Sequence, residues 1–222
     1  MICLAIHTAG ASCDVAILRG DACIGAASQP MKRGHDQALP VLTQAVLKEA
    51  GMSVTDLDRI AVCTGPGSFT GIRVGVAFAR GLALANDLQA VGVTSLEALA
   101  AQSGTRPAIA VIPAKQRLPD LTFWVQGFAM DDFPVPEEVG LDQLQSFAEE
   151  NPAFAFLCEA AKADHTRSHL TMVSDWIEVS TGAEAVARYA IALPNGTLPN
   201  AKPVYAREPD AIPAKKINVS GQ

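Results

Sequence analysis

The chain has 222 residues, 49% of them hydrophobic and only 18% charged, a balance that fits a folded protein with a large buried core and excludes a disordered one. Its formal net charge is −6 with no basic block, so it lacks the electrostatic footprint of a protein that holds nucleic acid unaided; RNA handled through a partner stays open. No apolar run approaches the length of a membrane span, and the N-terminus reads as a strand rather than a signal core, so the expected location is cytoplasmic.

Ile2–Ile6 is a continuous apolar run, hence a buried strand. Cys13–Leu18 partly alternates, Arg19-Gly20-Asp21 is a turn signal, and Ala22–Ala26 returns, which predicts an antiparallel meander. A helix follows from Asp36 to Ala50, with Leu39, Leu42, Val46 and Leu47 at helical spacing, Pro40 in its first turn and Gly51 as its stop. Arg59–Cys63 is a fourth strand, Val76–Ala85 a second helix, Gln89–Val93 a fifth strand and Leu96–Ala101 a third helix capped by Thr94-Ser95. The order β-β-β-α-β-α-β-α predicts an α/β domain of ribonuclease-H-like type, with a candidate boundary at Ser103–Pro107. Beyond it, Ala108–Ile112, Leu121–Phe128, Ala153–Leu157 and Ile177–Val179 read as strands, Asp131–Gly140 as an acidic loop, and Leu141–Glu149 and Ala183–Leu193 as helices. The tail 194–222 carries five prolines and reads as extended. A strand-rich start followed by helices in both halves suggests a duplicated architecture whose second copy has eroded.

The five cysteines form no Cys-x-x-Cys pair and read as small buried apolar residues. The loop Gly65-Pro66-Gly67-Ser68 lies between a strand and a helix, where unpaired N–H groups could receive an anion or where glycines could serve the turn alone. It is neither Gly-x-Gly-x-x-Gly nor a phosphate loop ending in Gly-Lys-Ser/Thr. Past the loop, Gly71, Gly75, Ala79 and Ala83 recur at every fourth position and make a ridge of small side chains, with Arg73, Ala77, Arg80 and Leu84 as a neighbouring stripe. Such a ridge suits close packing either on the chain's own sheet or on another protein's helix.

Four features together carry a family resemblance: Ala5-Ile6-His7-Thr8, Arg33-Gly34-His35, the run Gly65-Pro66-Gly67-Ser68-Phe69-Thr70-Gly71-Ile72-Arg73-Val74-Gly75, and Val91–Leu99. With Pro203-Val204-Tyr205-Ala206-Arg207 near the C-terminus, the chain resembles the bacterial TsaB (YeaZ) family of tRNA threonylcarbamoyladenosine biosynthesis proteins. The resemblance implies an actin/Hsp70-kinase-like (ASKHA) fold. It would comprise a ribonuclease-H-like domain over residues 1–104, a smaller, degenerate second domain over 105–193, and an extended Pro-rich segment over 194–222. It further implies a non-catalytic subunit that binds the catalytic protein TsaD. With the ATPase TsaE, that pair installs threonylcarbamoyl on N6 of adenosine 37 in tRNAs reading codons that begin with A. No cofactor is then expected on this chain, ATP and metal belonging to TsaD and TsaE; tRNA is met only through the complex, and the isolated chain could homodimerise.

The residues agree with a partner role. Where the family's first strand often ends in Asp, this chain has His7, a poor ligand for Mg²⁺; the stretch Pro113-Ala114-Lys115 likewise lacks the carboxylate expected of the second domain. Ser95 and Leu99 stand where the catalytic relative carries a His-x-x-x-His metal pair, flanking a retained Glu97. His35 reads as exposed or capping, and His165 and His169, four apart without a third ligand, as solvated surface. The resemblance assigns the partner interface to the first two helices, through Leu39, Leu42, Val46, Gly71, Arg73, Gly75, Val76, Ala79, Arg80 and Ala83. On that reading Gly75→Leu would abolish partner binding and leave the fold intact. An ATP-dependent ASKHA enzyme acting on a small substrate is the alternative.

Overall fold

The computed structural model describes residues 1–204 except 103, 105, 117, 118, 195 and 197. The first half runs β1 (Ile2–His7), β2 (Ser12–Arg19), β3 (Ala22–Pro30), α1 (His35–Glu49), β4 (Arg59–Cys63), α2 (Phe69–Ala85), β5 (Ala90–Val93) and α3 (Ser95–Ala100). The second runs β6 (Ala108–Lys115), β7 (Thr122–Phe128), β8 (Glu137–Gly140), α4 (Leu141–Glu150), β9 (Ala155–Glu159), α5 (Ala163–His169), β10 (Trp176–Val179) and α6 (Ala183–Ala192). The strands form two five-stranded sheets, β3-β2-β1-β4-β5 and β8-β7-β6-β9-β10. Each sheet combines an antiparallel meander with parallel strands reached through crossover helices. The two halves therefore repeat one α/β plan, that of the ASKHA fold.

The second half repeats the first half's order of elements, with its first two helices shorter than their counterparts. Two elements escape the sequence. The end of the Asp131–Gly140 stretch is the edge strand β8, whose Glu137 and Glu138 mask its period while Val139 is buried. The helix α5 is only seven residues long, and its buried positions are Ala163 and Thr166.

Each half sends its last helix to the other's sheet. On α3, Leu96 and Leu99 are fully buried with Ala108, Ala110, Ala155 and Leu157 of the second sheet. On α6, Ala183, Ala185, Val186, Ala187 and Ala190 are buried in the core of the first sheet, where alanine permits close approach of helix and strands. The buried Arg59 guanidinium donates to the carbonyls of Ala190 and Leu193, satisfying acceptors left open at the end of α6. Packing thus runs across the boundary drawn at residue 104.

Residues 199–204 run along the outer edge of β5. Gly92 N donates to Pro199 O, Ala201 N to Ala90 O and Val204 N to Thr64 O. Gly92 is needed there, because a Cβ would stand 2.6 Å from Asn200 O. The rest of the 194–222 tail from Tyr205 onward, including most of the Pro-x-Tyr-x-Arg segment, lies outside the described residues.

Candidate partner interface

The loop Gly65–Ser68 is tied down from three directions. Gly65 O accepts from Ser95 N at 2.8 Å, Pro66 O from Ser95 Oγ at 2.8 Å, and Ser68 N donates to Ala9 O at 2.8 Å. Gly65 has φ +96°, a conformation that favours glycine, and a Cβ on Gly67 would stand 2.4 Å from Ala9 O. Ser68 Oγ then accepts from Gly71 N at 3.2 Å and caps α2. The loop's donors at Ser68 and Gly71 are engaged within the chain, where they launch the helix.

The small-residue ridge of α2 faces inward. A Cβ on Gly71 would stand 1.9 Å from Thr8 O, and one on Gly75 would stand 2.3 Å from Thr8 Oγ1 and within 3.6 Å of Val62 and Ile6 side chains. Val76, Ala79 and Ala83 are buried in the same core, as are Leu39 and Val46 of α1. These seven residues stabilise the chain's own sheet packing and are closed to a partner, which corrects that part of the interface and the expectation for Gly75→Leu. Thr8 Oγ1 donates to Gly71 O at 2.8 Å, so backbone and hydroxyl are fitted together across a gap that only glycine leaves open.

Three of the expected interface residues remain accessible: Arg73 and Arg80 are exposed and Leu42 is half-buried. The same helices also expose two large apolar side chains, Val41 on α1 at 66% and Leu84 on α2 at 85%. Phe69 adds an exposed ring at the start of α2, with the Arg73 guanidinium 4.6 Å from its centroid, a cation–π contact one helical turn apart. Leu84 belongs to the Arg73-Ala77-Arg80 stripe that periodicity brings out; Val41 is hidden in the sequence because the apolar spacing of α1 selects Leu39, Leu42 and Val46. The outer faces of α1 and α2 therefore present apolar side chains among cations, over helices anchored on their inner faces.

The other singled-out residues are built into the fold. His7 is 4% exposed, and its Nδ1 lies 3.4 Å from Asp14 Oδ2 on the neighbouring strand. Ser95 is buried against the loop and Leu99 is in the core. Glu97 closes a capping box with Thr94, Thr94 N donating to its Oε2 at 2.7 Å, and accepts from Tyr189 OH of α6 at 3.2 Å. Lys115 pairs with Glu138 at 3.7 Å. His35 is 4% exposed with Nε2 unpartnered, contrary to the expectation of an exposed or capping residue. His165 and His169 stack edge to face, centroids 4.9 Å apart. Cys3, Cys13, Cys63 and Cys158 are buried free thiols; Cys23 is exposed, against the expectation of burial. Among the described residues no group of three or more His, Cys, Asp and Glu side chains could hold a metal ion, and no helix is long and apolar enough to cross a membrane.

Comparison with known proteins adds an independent line. The family model for TsaD, tRNA N6-adenosine threonylcarbamoyltransferase, matches residues 26–117. The chain is 38% identical over 116 residues to the tRNA threonylcarbamoyladenosine biosynthesis protein TsaB of Escherichia coli K12, covering 50% of each chain. The chain thus spans about half the length of the curated relative it matches. In fold, it matches the YeaZ structure from Pseudomonas aeruginosa with TM-score 0.66 at 20% identity, over 92% of this chain and 99% of that one. It also matches the putative N-acetylglucosamine kinase of Porphyromonas gingivalis, TM-score 0.50 at 10% identity, over 86% of this chain and 98% of that one. Sequence similarity to TsaB covers half of this chain, and the fold is shared with a YeaZ structure over nearly the whole of it.

Proposed function

We propose that the chain is a non-catalytic, cytoplasmic subunit of the machinery that threonylcarbamoylates N6 of adenosine 37 in tRNAs reading codons beginning with A. It binds TsaD through the outer faces of α1 and α2; TsaE joins the pair, tRNA is engaged by the complex, and ATP and metal belong to TsaD and TsaE. The observation that carries this reading is the exposed set Val41, Phe69 and Leu84 with Arg73 and Arg80, on two helices whose inner faces are fixed to the sheet. Apolar anchors ringed by arginines suit a desolvated contact with charge at its rim. His7, Ser95 and Leu99, at positions where chemistry would need other residues, are each engaged in the fold's own packing and hydrogen bonds, which supports a partner role. In the absence of TsaD the same face would pair two copies of the chain.

Titrating the isolated chain with ATP and Mg²⁺ separates this reading from an ATP-dependent enzyme. The partner reading expects no turnover by the chain alone, whereas turnover with tight nucleotide binding would overturn it.

A further inference from the structure

The segment that closes the edge of β5 also delivers the rest of the chain to the start of α2. Asn200 bridges Val91, with Gly92 N donating to Pro199 O and Ala201 N to Ala90 O. Ala201 is buried in the first core, and Val204 N then donates to Thr64 O at 2.9 Å. A Cβ built on Gly65 would stand 2.6 Å from Ile72 Cδ1 and 3.2 Å from Val204 O. The backbone of Val204 therefore lies beside the first turn of α2.

Along that flank α2 carries a stripe of one character. At 3.6 residues per turn, Phe69, Arg73, Arg80 and Leu84 fall within about 60° of one another, with Phe69 on the side of Ile72. All four are exposed. The helix has no Asp or Glu, so on a chain of net charge −6 the stripe is cationic and apolar. Measured along the axis from Phe69, Arg73, Arg80 and Leu84 stand at about 6, 16 and 22 Å.

Beyond Val204 the sequence continues Tyr205-Ala206-Arg207-Glu208-Pro209-Asp210-Ala211-Ile212-Pro213. Two carboxylates against one arginine give this stretch the opposite sign to the stripe. Its carboxylates and then its isoleucine follow in the order in which α2 presents two arginines and then Leu84. Pro209 and Pro213 favour a rise of about 3.1 Å per residue, which sets Glu208, Asp210 and Ile212 at about 12, 19 and 25 Å from Val204. The offsets from Arg73, Arg80 and Leu84 are within the reach of long side chains.

We propose that residues 205–213 fold back along α2 in the free chain, Glu208 and Asp210 pairing with Arg73 and Arg80 and Ile212 covering Leu84, and that TsaD displaces them to reach the helix. The docking stands on this chain alone; its consequence for TsaD rests on the proposed function. Exposed ion pairs contribute little singly, but a tethered segment meets its site at high effective concentration. A contact of this kind covers the helix and still yields to a larger partner surface.

The test uses the full chain. With methyl-labelled protein, NMR is expected to show a through-space cross-peak between Ile212 and Leu84. The pair Glu208→Arg and Asp210→Arg should abolish it, and adding Arg73→Glu and Arg80→Glu should restore it with the charges exchanged. Signals of residues 205–213 matching those of a free peptide of that sequence would overturn the docking and leave the stripe open to a partner or a second copy. In calorimetric titration, Glu208→Gln with Asp210→Asn is expected to bind TsaD several-fold more tightly than the unaltered chain. Equal affinity would overturn the competition, and weaker affinity would overturn it by making the segment part of the partner contact. No TsaD binding by either form, with the cross-peak as expected, would instead sink the proposed function and leave the docking standing.

Discussion

Gly71→Ala is expected to destabilise the chain by roughly 3 kcal/mol or more, as overpacking against a rigid neighbour does at its upper range. On helix propensity alone the same change would stabilise by about 1 kcal/mol, so the sign of the effect is diagnostic. The added Cβ would stand 1.9 Å from the carbonyl oxygen of Thr8, part of the β1–β2 turn that cannot yield as a side chain could. Gly81→Ala supplies the control, because Gly81 lies on the same helix with no atom within 4 Å of a built Cβ. Denaturant unfolding should therefore show Gly81→Ala at or above the unaltered chain and Gly71→Ala far below it. Gly75→Leu belongs with Gly71→Ala, as a folding defect rather than a selective binding defect. A Gly71→Ala chain as stable as the unaltered one would show that α2 does not sit on its own sheet as described.

The second large effect is expected on the outer side of the same helix. Leu84 and Val41 are 85% and 66% exposed, so replacing them by arginine should leave the unfolding midpoint nearly unchanged. The pair Val41→Arg and Leu84→Arg is expected to weaken TsaD binding at least tenfold, a change of about 1.4 kcal/mol, through lost apolar contact and added like charge beside Arg73 and Arg80. Calorimetric titration of the folded variants reads this directly. Undiminished affinity would move the interface elsewhere.

Much of the first half is legible in the sequence, because its strands are short apolar runs bounded by Gly, Pro and Asp, and its helices have clear stops. The loop at Gly65–Ser68 is legible as a strand-to-helix turn. Which face of α2 is turned inward is not: glycine and alanine at every fourth position permit close approach to a sheet as readily as to a partner helix. The deciding contact, Thr8 against Gly71 and Gly75, spans more than sixty residues of sequence. The same distance hides the cluster of His7, Asp14, Cys63 and Ser95, whose members meet only because β1 lies between β2 and β4. Read singly, His7 is a lost carboxylate and Cys63 a small apolar residue. Once the strands are ordered, His7 faces Asp14 across β1 and β2. In the second half, β8 and α5 escape because an edge strand can carry charge at alternate positions and a seven-residue helix has too few turns to show a period.

On the proposed function, this chain assists a catalyst rather than acting as one. Its most direct test is reconstitution of threonylcarbamoyl transfer to tRNA from threonylcarbamoyl-AMP, using TsaD, TsaE and ATP, with and without this chain. Modified tRNA is expected to accumulate only when the chain is present, and the Val41→Arg, Leu84→Arg variant is expected to fail to support it. Equal yield without the chain, or transfer by the chain in the absence of TsaD, would contradict it.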